Sequence, residues 1–374
     1  MAMKTIEQTI PSEKTKNLSS LFSRPESVLF LDIETTGFSP KGASVYLIGC
    51  VRFEAGAWKI RQFFAPAPDR ETEILQAFLD FAAPFETIVH FNGTVFDIPF
   101  LQARCKKHRL PVFFPGTQYD IYRHISPYKN LLHLPGCRQR HLEEYMGSHR
   151  EDPFSGGQLL ELYRAYGESR EERLLQVLLL HNHDDLEGMT QLFPITAIPG
   201  LFEEGGFSVE SCRLEKEPDA AGLPVQSALF SLRLFSPLPV PLSLHGTGPV
   251  LKSCFLAARQ DTALLRLPIL SGELRHFYPD YKNYAYLPAE DNAIHKSVAV
   301  YVDKSQRMPA TAANCYTRKT GAFLPWYGAP QDAVLFGREV KDKQRYVEAA
   351  SILEGQAQVQ KAYTEELLHA LSGR

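Results

Sequence analysis

Three apolar, β-branched runs follow one another closely near the start of the chain, "SVLFLDI", "SVYLIGCVRF" and "AWKIRQFFA", separated only by short stretches that carry Gly37, Pro40, Gly42 and Gly56. That closeness constrains the fold more than any other feature. A link of a few turn residues joins antiparallel neighbours but is too short for the crossover that a parallel pair requires. The chain therefore opens with a three-strand meander. After it, "ETEILQAFLDFAA" has helical spacing, "TIVHFN" reads as a strand, "VFDIPFLQARCKKHR" returns to helical spacing with a cationic end, and "TQYDIYR" reads as a further strand. Helical spacing continues through "RHLEEYMG", "SGGQLLELYRAYG" and "REERLLQVLLLHNHDDLEGMTQLF". A meander followed by alternating helix and strand predicts an α/β domain, a mixed sheet flanked by helices.

The pattern then changes. "PITAIPGLFEEGG", 194–206, reads as a linker, and beyond it short runs such as "ALFSLRLF", "VPLSLHG", "ALLRLPIL", "LRHFYP" and "KSVAVYVD" read as strands before "AASILEGQAQVQKAYTEELLHALSG" closes the chain as a helix. The organisation expected is an arm over 1–25, an α/β domain over 26–195, and a smaller, mainly β region with a C-terminal helix over 206–374. In that last region "FYPDYKNYAYLP", "HKSVAVYVDK" and "NCYTRKTGAFLPWY" interleave aromatic residues with cations. Two readings stand side by side. The rings fill a small β core, with alternation sending Val298, Val300 and Val302 to one face and Tyr301 to the other, or they stack the bases of a single strand whose phosphates meet Lys296, Arg318 and Lys319.

The chain has 374 residues, 44% of them apolar, enough to bury a sizeable core. A net charge of -3 excludes a global basic field, so any contact with nucleic acid must come from a local patch. Neither a signal-peptide core at the N-terminus nor a membrane-length apolar run is visible, and six scattered cysteines suggest free thiols, so a cytoplasmic protein is expected.

The chemistry lies in carboxylates. In "LFLDIETTGF", Asp32 and Glu34 are two apart on a strand and therefore face the same way, an arrangement that is costly unless a cation neutralises it. Mg²⁺ or Mn²⁺ suits such a pair, because both prefer oxygen donors shared with substrate phosphates. Thr35 and Gly37 follow at once, and the glycine lets a phosphate come close. "HFNGTVFDIPFL" puts Asp97 at the start of a helix, with Asn92 in the loop before it. In "LLLHNHDDLEGM", His181 and Asp185 are four apart on one helical face, with Asp184 as the alternative acid. Each has a plainer reading. An Asp-x-Glu at a strand end is more often a solvated turn, a lone helical histidine more often a surface or capping residue, and "CKKHRL" is first a solvated helix end and only then a phosphate contact. The conjunction of four acids and a base, each on the element the fold order requires, favours an active site.

With those motifs in place, the chain resembles the DEDD 3'-5' exonucleases, which have a ribonuclease H-like fold. More closely, through "LFLDIETTGF", "HFNGTVFDIPFL", "YDIYRHISPYKNLLHLPG", "REDPFSGGQLLELYRAY" and "LLLHNHDDLEGM", it resembles the YprB-like ribonuclease H-like domain proteins of Gram-positive bacteria. The resemblance spans roughly residues 26–195. It implies a metal-dependent nuclease acting on the 3' end of single-stranded DNA or RNA, with two divalent ions held by Asp32, Glu34, Asp97 and Asp185 and with His181 as general base. Three residues separate His181 from Asp185, the spacing of the tyrosine-type subclass rather than the histidine type. Two alternatives stand beside the nuclease: an inactive nuclease fold kept as a nucleic-acid-binding module, and a haloacid-dehalogenase-type phosphatase. The phosphatase would need aspartate where Glu34 stands and gives Asp97 and His181 no role.

Overall fold

The computed structural model describes residues 2–112, 116–148, 156–203, 205–218, 224–246, 251 and 254–373. Its backbone divides into two compact units, 1–199 and 200–374. Residues 149–155, which include the "REDPFS" of the "REDPFSGG" stretch, lie outside the described residues.

The first unit is built on a six-stranded sheet of order β1-β4-β3-β2-β5-β6. These are β1 (Lys4–Thr9), β2 (Val28–Thr35), β3 (Val45–Glu54), β4 (Ala57–Phe64), β5 (Thr87–His90) and β6 (Thr117–Asp120). The meander β2-β3-β4 is antiparallel, as its short links require, and β5 and β6 join β2 in parallel. The crossovers are α1 (Glu71–Ala82) and α2 (Asp97–Lys107). The short helices α3 (Ile121–Ile125) and α4 (Gln139–Tyr145) follow, then α5 (Gly156–Ser169) and α6 (Glu172–Leu192). The central strands are apolar almost throughout because both faces are covered. Leu29, Leu31, Ile33 and Ile48 pack with Ile74, Phe78, Ile98 and Leu101 on one side. On the other, Tyr46, Leu47 and Phe64 pack with Tyr163, Tyr166, Leu175 and Leu178.

Several expectations are corrected. The sequence suggests an arm over 1–25, yet β1 is the sheet's edge strand; it is polar because its one inward residue, Ile6, suffices for packing while Glu7 accepts from Arg61 Nε at 2.7 Å. "TQYDIYR" is a strand only as far as Asp120, since Ile121 and Ile125 are buried at helical spacing. The supposed linker contains a 3-10 turn at Phe193–Thr196 and the helix α7 (Ala197–Phe202), with Ile195 and Ile198 fully buried.

In the second unit β7 (Phe207–Pro218), β8 (Pro224–His245) and β9 (Phe255–Pro268) form an antiparallel sheet, and "ALFSLRLF" and "VPLSLHG" are both part of the single strand β8. Two smaller sheets hold β10 (Leu270–Phe277), β11 (Tyr284–Leu287), β12 (Asn292–His295), β13 (Met308–Pro309), β14 (Tyr316–Trp326) and β15 (Arg345–Glu348). "KSVAVYVD" is not a strand. Lys296–Ala299 is a helical turn, α8, capped by the His295 side chain accepting from Ser297 N, and Val298, Val300 and Tyr301 are exposed rather than alternating into a core. The final helix is two helices, α9 (Ala349–Leu353) and α10 (Ala357–Ser372). They part at Gly355, where a Cβ would come within 2.5 Å of Ser351 O. All six cysteines are free, and among the described residues no helix is long and apolar enough to cross a membrane.

Candidate active site

Strand alternation decides which side of the sheet carries the acids. Leu29, Leu31 and Ile33 enter the core under α1 and α2, so Phe30, Asp32 and Glu34 face the opposite side, where α6 crosses β2. There, His181 Nε2 lies 3.2 Å from Asp185 Oδ2 and 3.8 Å from Glu34 Oε1. Donor atoms of Glu34, His181 and Asp185 all fall within 4.8 Å of one another. Asp184 stands apart from this group, its Oδ1 3.4 Å from His183 Nδ1. Asp97 opens α2 and is buried, and its Oδ1 accepts from Ile33 N at 3.2 Å, between the two acids of β2 in the chain.

Burial, reinforced by crowding, raises the proton affinity of Asp32 and Asp97. Burial, then the charges of Asp185, Asp97 and Glu34, push Asp32 well above the ordinary aspartate range, against an opposing hydrogen bond from Asn182. Asp97 is pushed up to about 7, by burial first and by Asp120 and Asp185, against backbone N–H donors. Both carboxyls thus hold their protons more tightly than a free aspartate does. That is the situation a hard cation resolves, and the donors are the carboxylate oxygens Mg²⁺ and Mn²⁺ favour.

Two buried amides, unforeseen from sequence, hold Asp32 in place. Asn182 is fully buried; its Nδ2 donates to Asp32 Oδ2 at 2.8 Å, and its Oδ1 accepts from Gln62 Nε2 at 2.9 Å. Gln62, Gly49 and Asp32 are opposite one another across β4, β3 and β2. Gly49 leaves the space for the bridge, since a Cβ there would come within 2.1 Å of Asn182 Oδ1 and 2.6 Å of Leu186 Cδ1. A glycine inside an apolar strand is the signal that could have exposed this. Asp120, at the end of β6, accepts from Asn92 N at 2.8 Å and Thr94 N at 3.2 Å, and so shapes the loop that delivers Asp97. Asn92 has φ 58°, a left-handed conformation that asparagine tolerates. Beyond Glu34, Thr35 Oγ1 donates to Gly37 O at 2.9 Å, which closes the turn around the strand end.

Residues 29–196 match the family model of the RNase_H superfamily. The N-terminal domain is ribonuclease H-like. This ribonuclease H-like region also has a curated relative, the uncharacterised protein YprB of Bacillus subtilis (strain 168), 26% identical over 182 residues. That match covers 47% of this chain and 43% of YprB, so it spans less than half of the relative's length. Among solved structures, the family B DNA polymerase of Pyrobaculum calidifontis matches at 15% identity and TM-score 0.38, over 68% of this chain and 35% of that one. The zinc-bound form of an E. coli ExoI–ssDNA complex matches at 11% identity and TM-score 0.29, over 92% of this chain and 73% of that one.

Proposed function

We propose that the ribonuclease H-like domain is a metal-dependent nuclease that hydrolyses phosphodiester bonds, acting as a 3'-5' exonuclease on single-stranded DNA or RNA with two divalent ions, Mg²⁺ or Mn²⁺. The observation that carries this reading is the meeting of Glu34, His181 and Asp185 donor atoms within 4.8 Å beside Asp32, on the sheet face where α6 crosses. Asp32, Glu34 and Asp185 would hold the ions, with Asp97 acting through water. When bound, the ions neutralise the acids, lower the pKa of the attacking water and stabilise charge on the leaving oxygen. His181 Nε2 accepts the water's proton, and Glu34 and Asp185, 3.8 and 3.2 Å away, stabilise the resulting imidazolium. The Thr35–Gly37 turn and Asn92 line the approach, and Gly37, with no side chain, lets the sugar-phosphate backbone come close.

The test is a gel assay with Mg²⁺ or Mn²⁺ on end-labelled single-stranded and duplex DNA and RNA. The expected product is a ladder shortening from the 3' end. Asp32→Ala and chelator should each abolish it, and His181→Ala should lower turnover roughly 10²- to 10⁴-fold with metal binding kept. Asp184→Ala should be mild. Full activity in chelator or in Asp32→Ala overturns the reading, and an inactive Asp184 variant beside an active Asp185 variant overturns the assignment of the last acid.

A further inference from the structure

Asp97 borders a cleft of about 550 Å³ whose walls are otherwise built from the loop after β5, from α3, from the segment between α3 and α4, and from the start of α4. Cavities of this size accommodate small organic ligands such as a nucleotide. Two kinds of side chain dominate it. Phe91, Phe96 and Tyr122 are half-buried, with the rings of Phe91 and Tyr122 6.1 Å apart and edge-to-face, so each keeps part of its surface towards the cleft. Lys129 and Arg138 are exposed at its rim. Among the described residues neither has a carboxylate partner, whereas Lys4, Lys14, Arg24, Arg61 and Arg70 of the same unit are all ion-paired.

The sequence adds a second, independent observation. From Ile121 to Leu142 there is no Asp or Glu, while Arg123, Lys129, Arg138 and Arg140 supply four cations, in a chain with 43 acids against 40 lysines and arginines. A cationic rim therefore adjoins the acid cluster around Asp97. Single strands are held by that combination of ring faces that take bases and unpaired cations that take phosphates. A small anion would have little use for three rings, and an apolar ligand little use for two unpaired cations.

From these features we infer that the cleft is a binding site for a single-stranded nucleic acid, with one or two bases packed on Phe91, Phe96 and Tyr122 and the neighbouring phosphates on Lys129 and Arg138. The inference rests on the nuclease reading of the acid cluster, since it places the strand so that one phosphodiester reaches Asp97 and its neighbours.

The experiment measures fluorescence anisotropy of labelled single-stranded DNA and RNA homopolymers with the full chain in Ca²⁺, over a salt series, and in parallel follows cleavage in Mg²⁺ by the unaltered protein. Lys129→Glu with Arg138→Glu should weaken binding at least tenfold and reduce the slope of log affinity against log salt by about 1.4, two cations at about 0.7 each for a single strand. Tyr122→Ala should weaken binding about tenfold with the slope unchanged, because a ring contributes stacking and no charge. The milder pair Lys129→Gln with Arg138→Gln replaces the Glu pair if circular dichroism shows the latter misfolded. Unchanged affinity and slope in folded variants overturns the inference, as does absence of binding by the unaltered protein. Binding that responds to the variants in a protein that cleaves nothing in Mg²⁺ leaves the cleft assignment standing and overturns the nuclease reading instead.

Discussion

At the scale of single residues, the site is a balance between crowded carboxylates and the groups that hold them. Asp32 and Asp97 both keep protons more tightly in the folded protein than in the unfolded chain, Asp97 up to about 7. Between about pH 4 and about pH 7 the native state therefore binds more protons than the unfolded state, so stability falls as pH rises. Thermal melts of metal-free protein should show this fall, on the order of 1–4 kcal/mol in total, and Asp97→Asn should flatten it. A melting temperature that climbs across that interval would contradict the crowding argument. Asn182 is the counterpart. Its Nδ2 donates to Asp32, and Asn182→Ala would leave Gln62 Nε2 with Leu179 O, 2.8 Å away, while Asp32 loses that donor. We expect a loss of about 1–3 kcal/mol in stability and of roughly 10- to 100-fold in Mn²⁺ affinity by calorimetric titration.

At the scale of elements, a buried ion pair fixes how α1, α2 and the loop after β2 meet. Arg104 of α2 binds Glu71 of α1 through Nε at 2.7 Å and again through Nη2, and donates from Nη1 to Pro40 O at 2.8 Å. Glu71 Oε1 also accepts from Val45 N at 2.8 Å, at the start of β3. The segment between Glu34 and β3 is thus tied to the helix that Asp97 begins. Burial alone would raise the Glu71 pKa, but the hydrogen bonds from Arg104, Val45 N and His108 outweigh it and hold the carboxyl below the usual glutamate range. This contribution is present above the ordinary glutamate pKa and is lost as pH falls through the lower folded value. Glu71→Gln should cost about 3–5 kcal/mol in denaturant unfolding at neutral pH, because Arg104 would remain buried without its charge partner. A cost below about 1 kcal/mol would mean that water already screens the pair.

At the scale of the whole molecule, two cations of the second unit, Arg318 and Lys319, are ion-paired, unlike Lys129 and Arg138 of the first among the described residues. In the second unit Lys319 Nζ lies 2.6 Å from Glu348 Oε2, and Arg318 contacts Glu273, Asp291 and the Glu290 carbonyl. The aromatic residues of that region are engaged too, with Tyr278 and Tyr284 stacked at 4.5 Å over a small cluster of Ala293, Ala310 and Cys315. For Tyr278, Tyr284 and Tyr286 the geometry matches core filling, whereas Val298, Val300 and Tyr301 are exposed and fill no core. Changing Lys296, Arg318 and Lys319 together in the full chain should leave single-strand affinity and its salt dependence within twofold of the unaltered protein. A drop comparable to that of the Lys129 and Arg138 pair would move strand binding into the second unit.

What the sequence determined by itself was whatever depends on local period and short links. The meander, the two-residue spacing that aims Asp32 and Glu34 one way, and the four-residue spacing that puts His181 beside Asp185 are all set within a few residues, because a strand repeats every two and a helix every 3.6. Where local pattern was weak it misled. β1 is too polar to read as a strand, and "HKSVAVYVDK" alternates like one but turns into a helix capped by His295. The tertiary structure alone decided which distant residues complete the site. Asn182 reaches Asp32 across 150 positions, Gln62 reaches Asn182 across 120, and Gly49 matters only because α6 crosses directly above it. No local period encodes those meetings, since they follow from how helices close over a sheet, and an amide or a glycine carries the same local signal whether it faces a carboxylate or solvent.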